Sequence, residues 1–580
     1  MDVSYCPLHI ILRRDIRERS RLRYDLGITD GLVLDGLGSR PARLNVYVSG
    51  ERVACVCSDA ELAADETISA KGLVVAPGFV DTHSHSDLLI FSDPLAKSKI
   101  TQGVTTEIVG QDGFSVAPIR KEVQPKLAKY LSGLAGELED WKWDTFDSYL
   151  THISELRTGV NVASLVGNGT LRAITVGFDR RPPSEEELEQ MKALVAEAMT
   201  QGAVGISSGL IYPVSSYADE NELVELCKVA ASYGGVYVTH IRDEADRLIE
   251  SVDEAIRIAS RSQIPLHISH HKAIGRSNWG NTKRTLERID SEIARGLAIS
   301  CDIYPYTAGS TMLSALLPPW ALDGGPSALR ERLRDSEERS RIMKELEEGS
   351  PGWRSYPQLA GWDKILITYC KARREVEGKN IAQISKERSI LPAQVVVDLL
   401  LESEEAVSMV VFHISEDDIR RVVAHGCSTI CTDGLLIGNP HPRAYGAFPR
   451  TLRRHVIEER LLTLEGATKK MTSVPASIFG LAGRGIVKEG AFADLVIFDP
   501  QQTRDTATYE NPRQFAEGIT YVIVNGQVVL RKGQFLEVRP GRALRREGTA
   551  PNPFIEKDST DSLSAKPQRS SSHRIESPET

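Results

Sequence analysis

Two histidines separated by one residue, His83 and His85, offer the clearest chemistry in this sequence. The residues before them, 72–80, are mostly apolar and predict a strand. Alternate side chains of a strand point to the same face, so both imidazoles would lie on one side at the strand's end. Two imidazoles so placed make half of a site for zinc or a related divalent metal. The alternative is a pair of polar residues in a surface turn.

Residues of the same ligand types follow other apolar runs. The candidates are Asp112, His240, His270 and Asp433. Imidazoles and carboxylates bind divalent metals and also transfer protons, which makes these residues candidates for both tasks. Each single residue also has a structural explanation: His240 as a hydrogen-bonded core histidine, Asp112 as a turn residue, and Asp433 as a helix N-cap.

Three histidines, His267, His270 and His271, compete for one ligand position. His270 lies at the C-terminal end of its predicted strand, whereas His267 lies deeper and on the opposite face. We therefore predict His270 as the ligand and His271 as a neighbour that supports it. Other histidines are expected on the surface or on a lid: His413, His425, His441 and His455.

The elements that must position these residues alternate between strand-like and helix-like patterns. Strands are predicted at 73–80, 104–109, 162–166, 203–207, 236–239, 265–269, 297–301 and 428–431. Helices are predicted at 184–200, 220–233, 243–261 and 281–295. Repeated β-then-α units of this spacing predict an α/β fold, a (β/α)8 TIM-like barrel. Catalytic residues of such barrels lie at the C-terminal ends of the strands, where all the candidates fall.

The last predicted barrel strand is preceded by extra elements, a strand-like run at 407–413 and helical segments at 328–347 and 381–402. We interpret about 321–392 as a lid inserted near the active face, because long insertions in compact domains are usually functional.

Both ends of the chain carry short alternating segments typical of an antiparallel sheet. Residues 25–75 and 480–545 are therefore predicted to form one small β-sandwich beside a metal-dependent barrel at 76–479. Residues 1–24 are interpreted as an N-terminal extension. Residues 546–580 are rich in Ser, Pro, Thr, Glu and Arg and are predicted to be a disordered tail.

The composition narrows the function classes. At 580 residues the chain is expected to form two or more domains. A net charge of −9, without an extended Lys/Arg block outside the tails, argues against nucleic acid as a partner. No apolar run reaches membrane-spanning length, and no signal peptide is recognisable. The 8 scattered cysteines suggest reduced thiols in a cytoplasmic protein. We expect a small-molecule substrate, and the oligomeric state stays open.

With these residues assembled, the chain resembles the amidohydrolase superfamily and, within it, the N-acyl-D-amino-acid deacylases (D-aminoacylases). The resemblance covers about 25–545. The motifs that carry it are Pro77-Gly-Phe-Val-Asp-Thr-His-Ser-His85, Gln102-Gly-Val-Thr-Thr-Glu107, Gly205-Ile-Ser-Ser-Gly-Leu-Ile-Tyr212, Thr239-His-Ile-Arg242, Ile268-Ser-His-His-Lys272, Asp302-Ile-Tyr-Pro-Tyr-Thr-Ala308, Thr432-Asp-Gly434, His441-Pro-Arg-Ala-Tyr-Gly446 and Gly490-Ala-Phe-Ala-Asp-Leu-Val-Ile-Phe-Asp499. The first and last are similar to motifs across the superfamily, and the middle ones to deacylases in particular.

The resemblance implies a tightly held zinc ion on a cysteine and two histidines, which match Asp112, His240 and His270 here. It assigns His83 and His85 to a second, weaker metal position. The sequence departs from the family at one ligand, because the usual Asn-Cys-Gly is Gln111-Asp112-Gly113. Aspartate is a harder ligand than thiolate, so the departure changes the metal preference without removing a ligand.

The resemblance also implies hydrolysis of the amide bond of N-acyl-D-amino acids, with Asp433 as the acid and base. The substrate α-carboxylate would be bound by groups that match Lys272, Tyr304 or Tyr306, and Arg443. A guanidinium binds a carboxylate through two parallel hydrogen bonds, which favours Arg443 on physical grounds as well.

Two other functions remain open. A cyclic-amide hydrolase of the hydantoinase or dihydroorotase type commonly uses a carboxylated lysine after strand four, but that strand ends Ile206-Ser-Ser-Gly209. A non-catalytic barrel that serves as a binding scaffold would have lost ligands, whereas all the expected positions hold competent ones.

The preferred substrate side chain is predicted from the loop at 307–322, which by family analogy lies near the substrate. It contains no Lys or Arg and is mostly apolar. An apolar wall favours neutral side chains such as Leu, Met or Phe, because burying an unpaired carboxylate is costly. The lid could still supply a cation from Arg330, Arg332 or Arg334.

Overall fold

The computed structural model describes residues 22–58, 62–135, 141–404 and 406–546. Nearly all of the predicted extension at 1–24 and of the predicted tail at 546–580 therefore lies outside the described residues. Within the described ranges, no helix combines the length and the apolar character needed to cross a lipid bilayer.

The described residues contain twenty-one strands. In chain order they are β1 (Tyr24–Val33), β2 (Ala42–Ser49), β3 (Arg52–Cys57), β4 (Ala64–Ser69), β5 (Val74–Pro77), β6 (Phe79–Asp81), β7 (Val104–Val109), β8 (Asn161–Ser164), β9 (Val166–Gly167), β10 (Gly205–Gly209), β11 (Val236–His240), β12 (Leu266–Ile268), β13 (Ile299–Ile303), β14 (Ala308–Met312), β15 (Ile365–Cys370), β16 (Val407–Phe412), β17 (Ser428–Ile430), β18 (Leu495–Phe498), β19 (Ile519–Val524), β20 (Gln527–Arg531) and β21 (Gln534–Phe535).

Helices alternate with many of these strands. The α-helices lie at Lys97–Ile100, Gln124–Ala135, Phe146–Leu156, Asn168–Thr175, Glu185–Thr200, Glu220–Ser232, Leu248–Ser262, Asn281–Ala294, Gly325–Arg334, Ser336–Glu348, Tyr356–Ala360, Ile381–Arg388, Pro392–Glu402, Glu416–Ala424, Arg443–Arg450, Leu464–Met471 and Ser473–Ile478. A π-helical segment, Thr451–Glu458, continues the helix Arg443–Arg450.

Two parallel sheets form the centre of the fold. One has the order β6-β7-β8, and the other has the order β9-β10-β11-β12-β13-β17. Strands β8 and β9 are separated by Leu165 alone, so the chain passes directly from one sheet to the other. At the far edges, a parallel bridge between Ser84 and Gly434 joins the segments that follow β6 and β17. The C-terminal ends of the strands in these two parallel sheets therefore meet on one face of the molecule.

The two ends of the described chain build a single nine-stranded sheet. Its order is β21-β20-β19-β18-β5-β1-β2-β3, with β4 paired to β1. The contact between the chain ends is antiparallel, with Ala76 opposite Val496. A separate apolar core lies under this sheet and includes Ile28, Val46 and Ile497.

A three-stranded antiparallel sheet of order β14-β16-β15 and its helices pack around a core of their own, which includes Leu313, Ile367 and Val396. This unit, here called the antiparallel insertion, spans 308–412. The lid predicted at about 321–392 lies within it.

Local chemistry explains where some predicted elements divide. The predicted strand 73–80 becomes β5 and β6, which pair in different sheets, because Gly78 passes so close to Thr105 that a Cβ would lie 2.2 Å from it. The predicted helix 381–402 divides where Pro392 begins a new helix, since proline suits the first helical turn.

Candidate metal centre

The candidate ligands lie where the parallel strands end, and three of them adopt left-handed backbone conformations. Asp112, His270 and Asp433 have φ values of 56°, 35° and 46°. Non-glycine residues rarely adopt this conformation, which costs energy and clusters at functional sites. The sharp turns direct these side chains to a common point above the strand ends.

Six buried residues form what we call the His–Asp cluster: His83, His85, Asp112, His240, His270 and Asp433. Asp112 Oδ1 lies 3.6 Å from His83 Nε2, 3.8 Å from His240 Nδ1 and 3.9 Å from His270 Nε2. These separations are too long for hydrogen bonds. One carboxylate oxygen thus faces three imidazole nitrogens without bonding any of them.

The second carboxylate lies beside the His-X-His pair. Asp433 Oδ1 is 3.7 Å from His83 Nε2 and 3.2 Å from His85 Nε2. The ligand atoms of two triads lie close enough together to hold an ion: His83 with His85 and Asp433, and His83 with Asp112 and His270. His83 belongs to both triads, so the two potential metal positions adjoin.

The donor atoms of the cluster fit a divalent cation. Asp112 Oδ1 and both ring nitrogens of His240 are buried without a hydrogen-bond partner, as is His83 Nδ1. Buried polar atoms are normally bonded, so each orphan requires an explanation. Zinc bonds of roughly 2.0–2.2 Å in a tetrahedral site place ligand atoms about 3.4 Å apart, close to the spacing between these side chains.

The electrostatics of the cluster favour positive charge beside its carboxylates. Burial disfavours the protonated form of His83, yet Asp112 and Asp433 raise its pKa to about 9. The pKa of Asp112 lies well below its usual range, because the His83 and His240 imidazoles outweigh burial. Two buried carboxylates in one site require positive charge beside them, from a proton or from a metal ion.

Sequence reasoning missed Glu244, a buried carboxylate that touches two cluster histidines. Its oxygens lie 3.3 Å from His270 Nδ1 and 3.6 Å from His240 Nε2. Lys272 Nζ donates to Glu244 Oε1 at 2.6 Å and also contacts His270 Nδ1 at 2.9 Å. Carboxylates behind metal-binding histidines fix ring orientation and tautomer. An acidic residue four positions after His240 was the signal available in the sequence.

Arg443 pairs with the other carboxylate of the cluster, Asp433, and also lies against Tyr304. Arg443 Nη1 lies 2.9 Å from Asp433 Oδ2, and the guanidinium lies 4.3 Å from the centre of the Tyr304 ring. Burial raises the pKa of Asp433, but Arg443 and His83 more than offset this effect and hold the pKa well below its usual range. Arg443 Nε is buried without a hydrogen-bond partner and has donor capacity for a further carboxylate.

Buried hydrogen bonds tie the strand ends together beneath the cluster. Lys99 Nζ donates to Ser84 Oγ at 2.9 Å and to Thr432 Oγ1 at 2.8 Å, and it pairs with Asp81. Asp302 accepts a hydrogen bond from the His270 backbone N–H. This network joins the segments after β6, β12 and β17, and so sets the positions of His83, His270 and Asp433.

Two cavities adjoin the cluster. The site cavity, about 30 Å³, is lined by cluster residues together with Lys272, Tyr304 and Arg443. The outer cavity, about 750 Å³, shares Ile211, Glu244 and Tyr356 with it. The site cavity holds about one water molecule. A larger ligand must therefore extend into the outer cavity or displace the residues between the two.

Of the predicted carboxylate-binding residues, the structure brings Lys272, Tyr304 and Arg443 to the site cavity. Tyr306 lies outside its wall, where its hydroxyl donates to Asp505 Oδ2 at 3.3 Å. All three donor positions of Lys272 face protein acceptors, Glu244 and both the ring and the carbonyl of His270.

Several expectations about neighbouring residues were wrong. His413, expected on the surface or lid, is buried and lines the site cavity. His441 and His455 are also buried, His441 Nε2 lying 3.0 Å from the Ala308 carbonyl oxygen and His455 Nδ1 lying 3.0 Å from Glu459 Oε2. His271 supports its surroundings rather than the cluster, with Nε2 2.7 Å from Thr285 Oγ1.

The apolar run at 307–322 is only partly a cavity wall. Leu313 and Leu316 are buried in the core of the antiparallel insertion, whereas Leu317 and Leu322 line the outer cavity. Arg330, Arg332 and Arg334 line neither cavity. The outer cavity carries five arginines and five carboxylates, which balance in charge, and one of these arginines, Arg354, belongs to the predicted lid.

The sequence model of the Amidohydrolase family matches residues 66–310 and 376–530. A D-aminoacylase from Alcaligenes xylosoxydans xylosoxydans is 35% identical over 524 residues, which cover 90% of this chain and 98% of the relative.

Solved protein structures are also similar to this chain. An N-acyl-D-glutamate deacylase from Bordetella bronchiseptica, complexed with zinc and a phosphonate that mimics the tetrahedral intermediate, superposes with a TM-score of 0.79 at 32% identity, covering 90% of this chain and 100% of that chain. A D-aminoacylase described for its binuclear metal centre gives a TM-score of 0.78 at 34% identity, with the same coverage.

Proposed function

Because this chain belongs to the amidohydrolase family and, within it, to the N-acyl-D-amino-acid deacylases, we propose that it hydrolyses N-acyl-D-amino acids to a carboxylate and a free D-amino acid. The observation that carries the proposal is the His–Asp cluster itself. Its buried donor atoms lack partners and converge beside a cation, Arg443, that has donor capacity left. Together with the outer cavity that adjoins it, such a site could hold a metal ion, a water molecule and an anionic substrate.

We propose that zinc is held tightly by Asp112, His240 and His270 and more weakly by His83 and His85. A divalent cation at this position would lower the pKa of a water molecule and polarise the amide carbonyl. Support comes from the orphan atoms of Asp112 and His240 and from the zinc complex of the relative from Bordetella bronchiseptica. Glu244, which lies 3.3 Å from His270 Nδ1 and 3.6 Å from His240 Nε2, would hold both rings in position behind the ion.

In the proposed reaction, Asp433 accepts the proton of the attacking water and delivers it to the leaving nitrogen. Its carboxylate is ionised, since its pKa lies well below its usual range, and it lies among the imidazoles of the cluster. The low pKa makes Asp433 a weak base as long as Arg443 pairs with it. When Arg443 also binds a substrate carboxylate, its charge is shared between two carboxylates. The pKa of Asp433 would then rise, which makes Asp433 a stronger base.

Arg443 and Tyr304 are the proposed contacts of the substrate α-carboxylate, with Lys272 at the edge of the same cavity. The Nε of Arg443 supports this role because it is buried and unbonded. Lys272 already serves Glu244 and His270, so its main contribution is to hold these two residues. Tyr306 is a weaker candidate because it contacts Asp505 outside the cavity.

We further propose that the eight parallel strand positions close into a (β/α)8 barrel, and that both chain ends form the small β-sandwich. The order of the parallel sheets and the Ser84–Gly434 bridge support closure. The antiparallel insertion, 308–412, would act as the lid, since its residues Tyr356 and Val411 line the site cavity. A cytoplasmic location is consistent with the seven described cysteines, none of which is in a disulfide bond.

The test is a panel of N-acetyl-D- and N-acetyl-L-amino acids together with a hydantoin, assayed with the purified chain. Release of free amino acid from the D-series alone is expected. Ring opening of the hydantoin at a higher kcat/KM would instead assign the chain to cyclic amides.

A further inference from the structure

A pair of cysteines lies at the opposite end of the parallel strands from the His–Asp cluster. Cys427 immediately precedes β17, and Cys301 lies within the neighbouring strand β13. Their sulfur atoms are 3.7 Å apart, and the Cys301 backbone N–H donates to the Cys427 carbonyl at 3.1 Å. At roughly 3.3 Å per residue of extended chain, Cys427 is at most about 20 Å from Asp433. The proposed hydrolysis does not use this pair.

Cys427 differs from the other cysteines in its access to solvent. Among the seven cysteines in the part of the chain that the structure describes, it is the one that is not fully buried. Cys301, its neighbour, is buried. An oxidant that reaches the protein surface would therefore contact Cys427 first, with a second thiol directly behind it.

The surroundings of Cys427 favour its thiolate. His425 Nδ1 lies 3.1 Å from the Cys427 sulfur, and His425 Nε2 lies 3.1 Å from Asp290 Oδ2. Lys470 donates to the backbone carbonyls of His425 and Ser428. The hydrogen bond with Cys301 and the charges of His425 and Lys470 lower the pKa of Cys427, although burial opposes them.

We propose that Cys427 and Cys301 form a peroxide-reactive thiol pair that closes to a reversible disulfide. Low-pKa, accessible thiols next to a second cysteine are the ones that hydroperoxides oxidise selectively. Metal binding is the less suitable assignment, because the triads spaced for an ion among the described residues all belong to the His–Asp cluster.

The reaction balances with one hydroperoxide. The Cys427 thiolate attacks one peroxide oxygen, the O–O bond breaks, and Cys427 becomes a sulfenic acid while hydroxide leaves, or alkoxide from an organic peroxide. Cys301 then attacks the Cys427 sulfur, so that the S–S bond forms and the S–OH bond breaks. The released hydroxide takes the Cys301 proton to give water. The sulfurs must approach by roughly 1.7 Å, because a disulfide bond measures about 2.05 Å.

The test uses the reduced full chain, hydrogen peroxide as the probe, and peptide mapping by mass spectrometry. The expected product is a Cys301–Cys427 disulfide that dithiothreitol fully reverses. In Cys301→Ser, dimedone should trap a sulfenic acid at Cys427. In His425→Asn, oxidation at neutral pH should slow several-fold, and the difference should shrink as the pH passes the ordinary thiol pKa of about 8.5. Cys227→Ser is the matched control and should oxidise like the wild type, since burial raises the pKa of Cys227 well above its usual range.

Failure to form the Cys301–Cys427 link in the wild type would overturn the proposal, as would an unchanged rate of peroxide consumption in Cys427→Ser. If a variant does not fold, the proposal is tested by the rates at which iodoacetamide alkylates the individual cysteines of the wild-type chain. Cys427 should react faster than every other described cysteine, and labelling of another cysteine first would also overturn the proposal.

Discussion

The two sides of the site cavity differ in whether their buried polar groups have hydrogen-bond partners. On one side, the His–Asp cluster leaves Asp112 Oδ1 and both nitrogens of His240 without partners. On the other side, Glu244 and Lys272 bond to each other and to His270. Burying unpaired polar groups costs about 1–3 kcal/mol each, so the cluster favours binding of a ligand, whereas Glu244 and Lys272 already pair with each other. The difference distinguishes the residues that would bind a ligand, in the cluster, from the residues that hold the cluster in position, Glu244 and Lys272.

Removing a cluster histidine should have the largest effect. In His240→Ala, we expect loss of both the bound metal and the activity, because the ion loses a ligand in a buried site. Metal analysis and turnover of the purified variant measure this. His271→Gln is the matched control, since His271 is buried one residue from His270 but bonds to Thr285, and it should retain metal. A His240→Ala protein with full metal content and normal turnover would contradict the assignment.

Removing the proton carrier should leave the metal in place. Asp433→Asn is expected to keep the fold and the metal but to lose about 10²–10⁴-fold in kcat, the usual contribution of general acid–base catalysis. Single-turnover kinetics measure the loss in rate, and metal analysis of the same sample shows whether the metal is retained. Turnover within a few-fold of the wild type would mean that another group carries the proton.

Weakening the positioning pair should have an intermediate effect. Glu244→Gln is expected to lower metal affinity or activity by about 10–100-fold, the usual loss when the carboxylate behind metal-binding histidines is altered. Competition with a chelator separates affinity from turnover. Glu254→Gln is a suitable control, because Glu254 pairs with Arg242 in the outer cavity. Equal behaviour of the two variants would remove the distinction drawn between the two sides.

The outer cavity predicts a modest preference in substrate side chain. Its five arginines and five carboxylates balance, and the arginine that the predicted lid contributes, Arg354, is paired with Asp246. N-acetyl-D-methionine is therefore expected to exceed N-acetyl-D-glutamate in kcat/KM by about tenfold, because an unpaired carboxylate buried there would be destabilised. A clear preference for the glutamate derivative would indicate a cation that moves to the substrate.

Replacing the unusual ligand by the family's residue should have the smallest effect. Asp112→Cys is expected to retain activity and to bind zinc more tightly, since thiolate is the softer ligand. A zinc titration against a chelator measures the change in affinity. Complete inactivity with zinc bound would show that Asp112 does more than bind the ion.

The sequence predicted the residues of the His–Asp cluster because strand ends constrain position strongly. Parallel strands bring their C-terminal ends to one edge, so apolar runs followed by His or Asp were sufficient for Asp112, His240, His270 and Asp433. The left-handed conformation was partly visible at Asp112 and Asp433, each followed by glycine, but nothing local indicates it at His270.

The remaining features depend on packing between distant segments. Glu244 lies in a loop, and its role arises because that loop passes beside His270 from another strand. His413 is buried because β16 lies between β14 and β15. The apolar run at 307–322 was assigned to the substrate, but much of it packs into the insertion, whose core the sequence pattern could not distinguish from a cavity wall.

The most direct test of the central claim is the hydrolysis of N-acetyl-D-methionine and N-acetyl-L-methionine by one preparation, first stripped of metal and then titrated with zinc. We predict that release of methionine from the D-enantiomer is absent without metal, rises with the first equivalent of zinc, and far exceeds release from the L-enantiomer throughout. Equal hydrolysis of both enantiomers, or full D-specific activity in the stripped protein, would contradict the account.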